Sequence, residues 1–99
     1  MEGIIVRYRY DGDEAIWRST IDAFIDAINA DEAVKGRFKY FVTIAKDGVG
    51  RTHVGRWDSD EVLNTVQSRE YFKQFSEAVQ GYAGDTLEPG RMSVVASTV

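Results

Sequence analysis

From Thr52 to Tyr82 the chain reads THVGRWDSDEVLNTVQSREYFKQFSEAVQGY, and its hydrophobic period changes from two to about 3.6 at one residue, Trp57. A short strand must therefore run straight into a helix. Asp58 and Glu61 have the three-residue spacing of a capping box, which would fix the helix start just beyond the tryptophan. Ser68 reads as a second cap or a kink. It divides the turn carrying Val62, Leu63 and Val66 from a longer face of Tyr71, Phe72, Phe75, Val79 and Tyr82, and Gly81 and Gly84 would end the helix.

The other segments extend this pattern in both directions. Gly3 to Tyr10 alternates, with Ile4, Val6, Tyr8 and Tyr10 opposed to Ile5, Arg7 and Arg9, as a strand requires. Asp11-Gly12 turns the chain, Asp13 can cap the orphan amides, and Trp17, Ile21, Phe24, Ile25 and Ile28 follow at helical spacing to near Ala30. Arg37 to Ala45 alternates again, with Phe38, Tyr40, Val42 and Ile44 on one face, before Lys46-Asp47-Gly48 turns into a third strand from Val49 to Trp57. Leu87 to Val95 alternates weakly and contains Pro89, which has no N–H for a ladder and belongs at a sheet edge, a strand start or a bulge.

The order is β-α-β-β-α-β, a split βαβ pattern, so the expected fold class is α+β: a ferredoxin-like antiparallel sheet with two helices on one face. The usual strand order of that fold, 4-1-3-2, puts strand two at an edge. An edge reading RFKYFVTI is long and aromatic enough to invite pairing, and a partner chain is expected to cover it.

Ninety-nine residues that are 43% hydrophobic suit one core, and residues 1–99 are read as a single domain. There is no cysteine and only one histidine, so neither a disulfide framework nor a tetrahedral zinc site can form. No apolar run approaches the roughly 20 residues of a membrane span, and no basic stretch precedes an apolar signal segment; the expected setting is the cytoplasm, away from any membrane. The net charge of −4 argues against non-specific attachment to nucleic acid or anionic lipid. Yet Arg7, Arg9, Arg37, Lys39, Arg51, Arg56 and Arg91 all fall in strand-like segments, which makes the sheet basic. A solvated sheet face explains this, and so does a pocket or interface that favours an anionic or enolate-like group.

RNA-recognition motifs share this element order, and Lys35-Gly36-Arg37-Phe38-Lys39-Tyr40-Phe41-Val42 has a basic-aromatic pattern. Their signature lies on strand three, however, and this run is strand two. Nucleic acid is not an expected partner.

Over nearly its whole length the sequence resembles the dimeric α/β barrel superfamily, in particular its antibiotic biosynthesis monooxygenase-like branch. The resemblance rests on GIIVRYRY leading into Asp-Gly-Asp-Glu, on Gly36-Arg37-Phe38-Lys39-Tyr40, and on GRWDSDEVL followed by SREYFKQF. It implies a homodimer of two ferredoxin-like chains paired across their sheets. It also implies a protein that binds, or oxidises with dioxygen and no cofactor, a small aromatic or polyketide-like molecule. Other members are haem-degrading enzymes, isomerases and proteins without known activity, so the fold alone does not choose among them. The haem-degrading members carry an asparagine on strand one and a tryptophan and histidine on the second helix. This chain has Arg7 and Arg9 on strand one, Thr65 and Ser76 near the helix positions, and no histidine outside strand three. Many members place an acidic residue two positions before the strand-three tryptophan, where this chain has Gly55.

His53 and Trp57 are four apart on one strand, so they share a face, and Gly55 between them leaves that face bare enough for a flat aromatic ligand. In the catalytic reading Trp57 stacks on the substrate and His53 takes or gives a proton to make a carbanion or enolate. In the structural reading Trp57 packs on the second helix, His53 is a hydrogen-bonded sheet residue, and Gly55 makes room for a neighbouring aromatic. Tyr8, Tyr10 and Tyr40 with Phe72 and Phe75 either line a pocket between sheet and helices or are simply core. Arg7 and Arg9 would stabilise a developing oxyanion or lie in water with buried stems. Three functions follow: a cofactor-independent monooxygenase, a non-catalytic ligand-binding or structural dimer, and an isomerase or cyclase.

Overall fold

The computed structural model describes residues 1–98, and the order of elements is the expected one. Four strands, β1 (Glu2–Arg9), β2 (Phe38–Ile44), β3 (Gly50–Trp57) and β4 (Glu88–Ser93), form one antiparallel sheet in the order β2-β3-β1-β4. Helix α1 (Glu14–Ala30) returns the chain between β1 and β2, and α2 (Asp60–Gln67) with α3 (Glu70–Ala83) returns it between β3 and β4.

Local chemistry explains the boundaries. Asp13 caps α1 by accepting the Ile16 amide at 2.9 Å, and Trp17, Ile21, Phe24 and Ile28 form the buried stripe behind it. Asp47 accepts the amides of Val49 and Gly50 at 2.8 and 2.9 Å, while Gly48 takes the positive φ of +79° that closes the β2–β3 hairpin. The second helical return does split at Ser68. The Ser68 amide bonds back to Asn64 and Thr65, and α3 begins two residues later after Arg69. Arg69 gives α3 no side-chain cap, since a guanidinium has no acceptor for an orphan amide; it donates to Asp31 beyond α1 at 2.9 Å, where the Tyr71 hydroxyl also donates at 2.7 Å.

Three sequence expectations are corrected. The cap of α2 is Ser59, whose hydroxyl accepts the Val62 amide, not Asp58; the Asp58 carboxylate accepts instead from Arg37 at 3.1 Å. Gly81 lies inside α3, and Gly84 at φ +57° alone ends it. Arg51 does not belong to a solvated basic face. It points to the helix side of β3, is buried, and lies 4.3 Å over the Trp17 ring while bonding Glu14, Tyr10 and Gly48.

Pro89 sits on the edge strand β4, opposite Val6, and β2 forms the other edge. One face of the sheet carries the helices and the core, including Tyr8, Phe38 and Trp57. The opposite face carries Ile5, Arg7, Arg9, Lys39, Phe41 and Val54, and among the described residues no helix packs on it; Phe41 is 57% exposed. Among the described residues no helix is long and apolar enough to cross a membrane.

Candidate functional site

The central strand β3 presents Arg51, His53, Gly55 and Trp57 to the helices, because alternate residues of a strand share a face. Register decides what meets them. On β1 Tyr8 stands opposite Arg51, and on β2 Tyr40 stands opposite Gly55. Each tyrosine is thus a diagonal neighbour of His53 on the same face, within reach of an aromatic side chain.

His53 is 1% exposed and both of its ring nitrogens are engaged. The Tyr8 hydroxyl lies 2.7 Å from Nε2 and the Tyr40 hydroxyl 2.8 Å from Nδ1. Tyr8 in turn accepts from Trp17 Nε1 at 2.9 Å. Burial lowers the His53 pKa from 6.5 to about 4, so the imidazole is neutral at pH 7. Burial also raises both tyrosines above their ordinary value, most strongly Tyr40, so both hydroxyls stay protonated.

Gly55 is the hinge of this arrangement. A Cβ there would sit 2.8 Å from the Tyr40 ring, so the absent side chain is what lets Tyr40 lie across the strand toward His53. The position at which many resembling proteins hold an acid is occupied here by the neighbouring tyrosine ring.

Beside this cluster, between the sheet and α2 and α3, lies a cavity of about 290 Å³. His53, Trp57, Tyr40, Phe72 and Phe75 all border it, together with Phe24, Phe38, Leu63, Ser76, Gln67, Gln80 and Arg91. The Trp57 ring stacks parallel to Phe38, and the Arg91 guanidinium lies 5.0 Å from its centre. The Trp57 Nε1–H is buried and has no hydrogen-bond partner among the described residues. A buried donor left without an acceptor costs about 1–3 kcal/mol of stability.

Tyr8 does not border the cavity but supports His53 from behind. Tyr10 lies apart, donating to the Asp13 carbonyl and packing on Tyr82. Arg9 is on the opposite face of the sheet, exposed, with its guanidinium 3.6 Å from Asp47; it does not join the group around His53. Arg91 was not singled out for the site from sequence, since its weak strand gave no sign that it would reach Trp57. Among the described residues no group of three or more His, Cys, Asp or Glu could hold a metal ion.

No protein-family model matches the sequence, and neither does any curated protein. Solved structures do match it across nearly the whole chain. SnoaB, a cofactor-independent oxygenase from Streptomyces nogalater, is similar with a TM-score of 0.74 at 13% identity, over 98% of this chain and 95% of that one. A Deinococcus radiodurans protein provisionally named an antibiotic biosynthesis monooxygenase is similar with a TM-score of 0.73 at 14% identity, over 100% and 97%. A dimeric ferredoxin-like protein of unknown function from Jannaschia sp. CCS1 is similar with a TM-score of 0.69 at 10% identity, over 94% and 98%. At these identities the likeness is one of fold. The chain has the ferredoxin-like fold of the antibiotic biosynthesis monooxygenase-like proteins.

Proposed function

We propose that this chain is a one-domain, cytoplasmic homodimer that binds a small aromatic or polyketide-like molecule in the cavity beside Trp57 and oxidises it with dioxygen, without metal or flavin. The observation that supports this best is the cavity itself: aromatic walls from Phe24, Phe72 and Phe75, with Tyr40, His53 and Trp57 at its sheet end. A bound anthrone-like molecule enters as its enolate, having given its proton to water, and passes electrons to dioxygen; its CH2 carbon takes one oxygen atom as a new carbonyl, and the second oxygen atom leaves as water with the two hydrogens of that carbon. His53 serves that chemistry through the Tyr40 hydroxyl rather than as a free base, because both of its nitrogens are occupied. Trp57, Phe72 and Phe75 hold the ring system. Arg9 on the far face belongs to the dimer side, where the uncovered sheet carrying Phe41 offers the surface for a second copy.

Oxygen uptake with a panel of anthrones and quinols tests this reading. Turnover by the wild type that falls at least tenfold in His53→Ala and in Trp57→Phe supports it; no turnover with any substrate, or turnover indifferent to both changes, overturns it. Non-catalytic binding is the second reading, favoured by the full hydrogen bonding of His53, and it predicts ligand binding with no oxygen consumed. Light scattering should give twice the chain mass; a monomer at micromolar concentration overturns the dimer.

A further inference from the structure

The hydrogen atoms of the Trp17–Tyr8–His53–Tyr40 series can be placed by elimination. An indole N–H can only donate, so the Tyr8 oxygen accepts from Trp17. The Tyr8 hydroxyl is buried and still has its own proton to place, and the acceptor within reach is His53 Nε2. A neutral imidazole that accepts at Nε2 carries its hydrogen on Nδ1. That hydrogen therefore points at the Tyr40 oxygen, 2.8 Å away. The Tyr40 hydroxyl proton is then directed away from His53, and no acceptor for it exists among the described residues. Tyr40 borders the cavity. The opposite direction would leave the Tyr8 proton unplaced in the core, at a cost of about 1–3 kcal/mol.

From this geometry we infer that Tyr40 is the residue that selects the bound molecule, donating a hydrogen bond to a carbonyl or enolate oxygen, and that Trp17, Tyr8 and His53 are positioning residues that fix the direction of its proton. The inference rests on the cavity being a ligand site. It goes further in stating which chemical group is admitted at the sheet end. Tyr40 offers a hydrogen there, and among the described residues no carboxylate borders the cavity. Acceptor-rich groups are matched and donor-only groups are not. Gly55 belongs to the same device, since it leaves the space in which the Tyr40 ring lies.

The test uses the bicyclic ketone α-tetralone and its hydrocarbon counterpart tetralin as probes, with calorimetry for affinity and infrared spectroscopy of the bound ketone labelled at its carbonyl. The expected result is about tenfold tighter binding of the ketone and a carbonyl stretch shifted to lower frequency than in hydrocarbon solvent. Tyr40→Phe should bind tetralin as before and lose both the preference and the shift. Tyr8→Phe, which leaves the cavity walls in place, should weaken both, because His53 is then free to carry its hydrogen on Nε2 and draw the Tyr40 proton back to Nδ1.

Preference and shift that survive Tyr40→Phe overturn the inference while leaving the cavity a ligand site. Binding of both probes with equal affinity does the same. Binding of neither probe overturns the ligand site as well. Nitrogen-15 spectra of the wild-type imidazole read the tautomer without any substitution: hydrogen on Nδ1 supports the inference, and hydrogen on Nε2 overturns it even if no variant folds.

Discussion

Arg51 and Glu14 form an ion pair whose ends lie in different surroundings: 2% of the arginine side chain is exposed against 52% of the glutamate. The guanidinium also bonds the carbonyls of Tyr10, Gly48 and Val49 and lies over the Trp17 ring. Its fork geometry and stacking are what the site uses, and a lysine has neither. Arg51→Lys is expected to destabilise the protein by about 2 kcal/mol, and Glu14→Gln by about 1 kcal/mol or less because water already solvates that carboxylate. Urea unfolding of both variants checks the order; equal losses would contradict it.

Tyr8→Phe removes one oxygen that serves two partners. Trp17 Nε1 and His53 Nε2 both lose their bond in a part of the core with little room for water. A loss of about 2–3 kcal/mol is expected in urea unfolding, against well under 1 kcal/mol for an exposed hydroxyl. A shift of the Trp17 indole proton resonance should accompany it.

Acid should destabilise this protein in two separate windows. The His53 pKa falls from 6.5 to about 4 on folding, so the unfolded chain takes up that proton first. Its contribution is complete above pH 6.5 and is lost as pH falls toward 4, by about 3 kcal/mol in total. Asp31, held low first by Arg69 and then by the Tyr71 hydroxyl, and Asp47, held low by the Gly50 and Val49 amides, act further down. Their contribution is present above the ordinary 3.8 and disappears below it. Urea midpoints from pH 8 to 3 should therefore fall in two steps, and His53→Gln should lack the upper one. A His53 resonance that titrates near 6.5 would be inconsistent with this.

Gly55→Ala adds one methyl group, and it lands 2.8 Å from Tyr40 Cδ1 and 3.4 Å from Ile4 Cγ2. The Tyr40 ring must move, carrying its hydroxyl from His53. Overpacking of this kind costs about 1–3 kcal/mol. The more specific sign is spectral, since the Nδ1 environment of His53 should change in Gly55→Ala and hardly at all in Gly81→Ala, where a Cβ meets open space.

The element order, the strand faces and the α1 cap were legible in the sequence because each follows from local period or from a side chain bonding its own neighbourhood. Asp13 shows this: its partner is three residues away. Asp58 shows the limit. By type and spacing it could cap α2, but Arg37, 21 residues earlier, claims its carboxylate and Ser59 does the capping. Arg51 looked like one more surface cation, and nothing in its own strand announces Trp17 beneath it. His53, Trp57, Tyr8, Tyr40, Phe72 and Phe75 were each visible as candidates. What joins Tyr8 and Tyr40 to one imidazole is the pairing of β1 and β2 on either side of β3, which a single strand does not encode. The same pairing leaves Arg9 on the other face.

The series from Trp17 to Tyr40 runs in one direction, and aligned hydrogen-bond dipoles polarise one another in a low-dielectric interior. Its leading end, the Tyr40 hydroxyl, is accordingly electropositive although no member of the series carries formal charge. Mobile ions screen exposed charges over distances of about 10 Å at 0.1 M salt but reach buried dipoles poorly. The attraction of this part of the cavity for an oxygen atom should therefore be insensitive to ionic strength, unlike any contribution from the exposed Arg91 guanidinium.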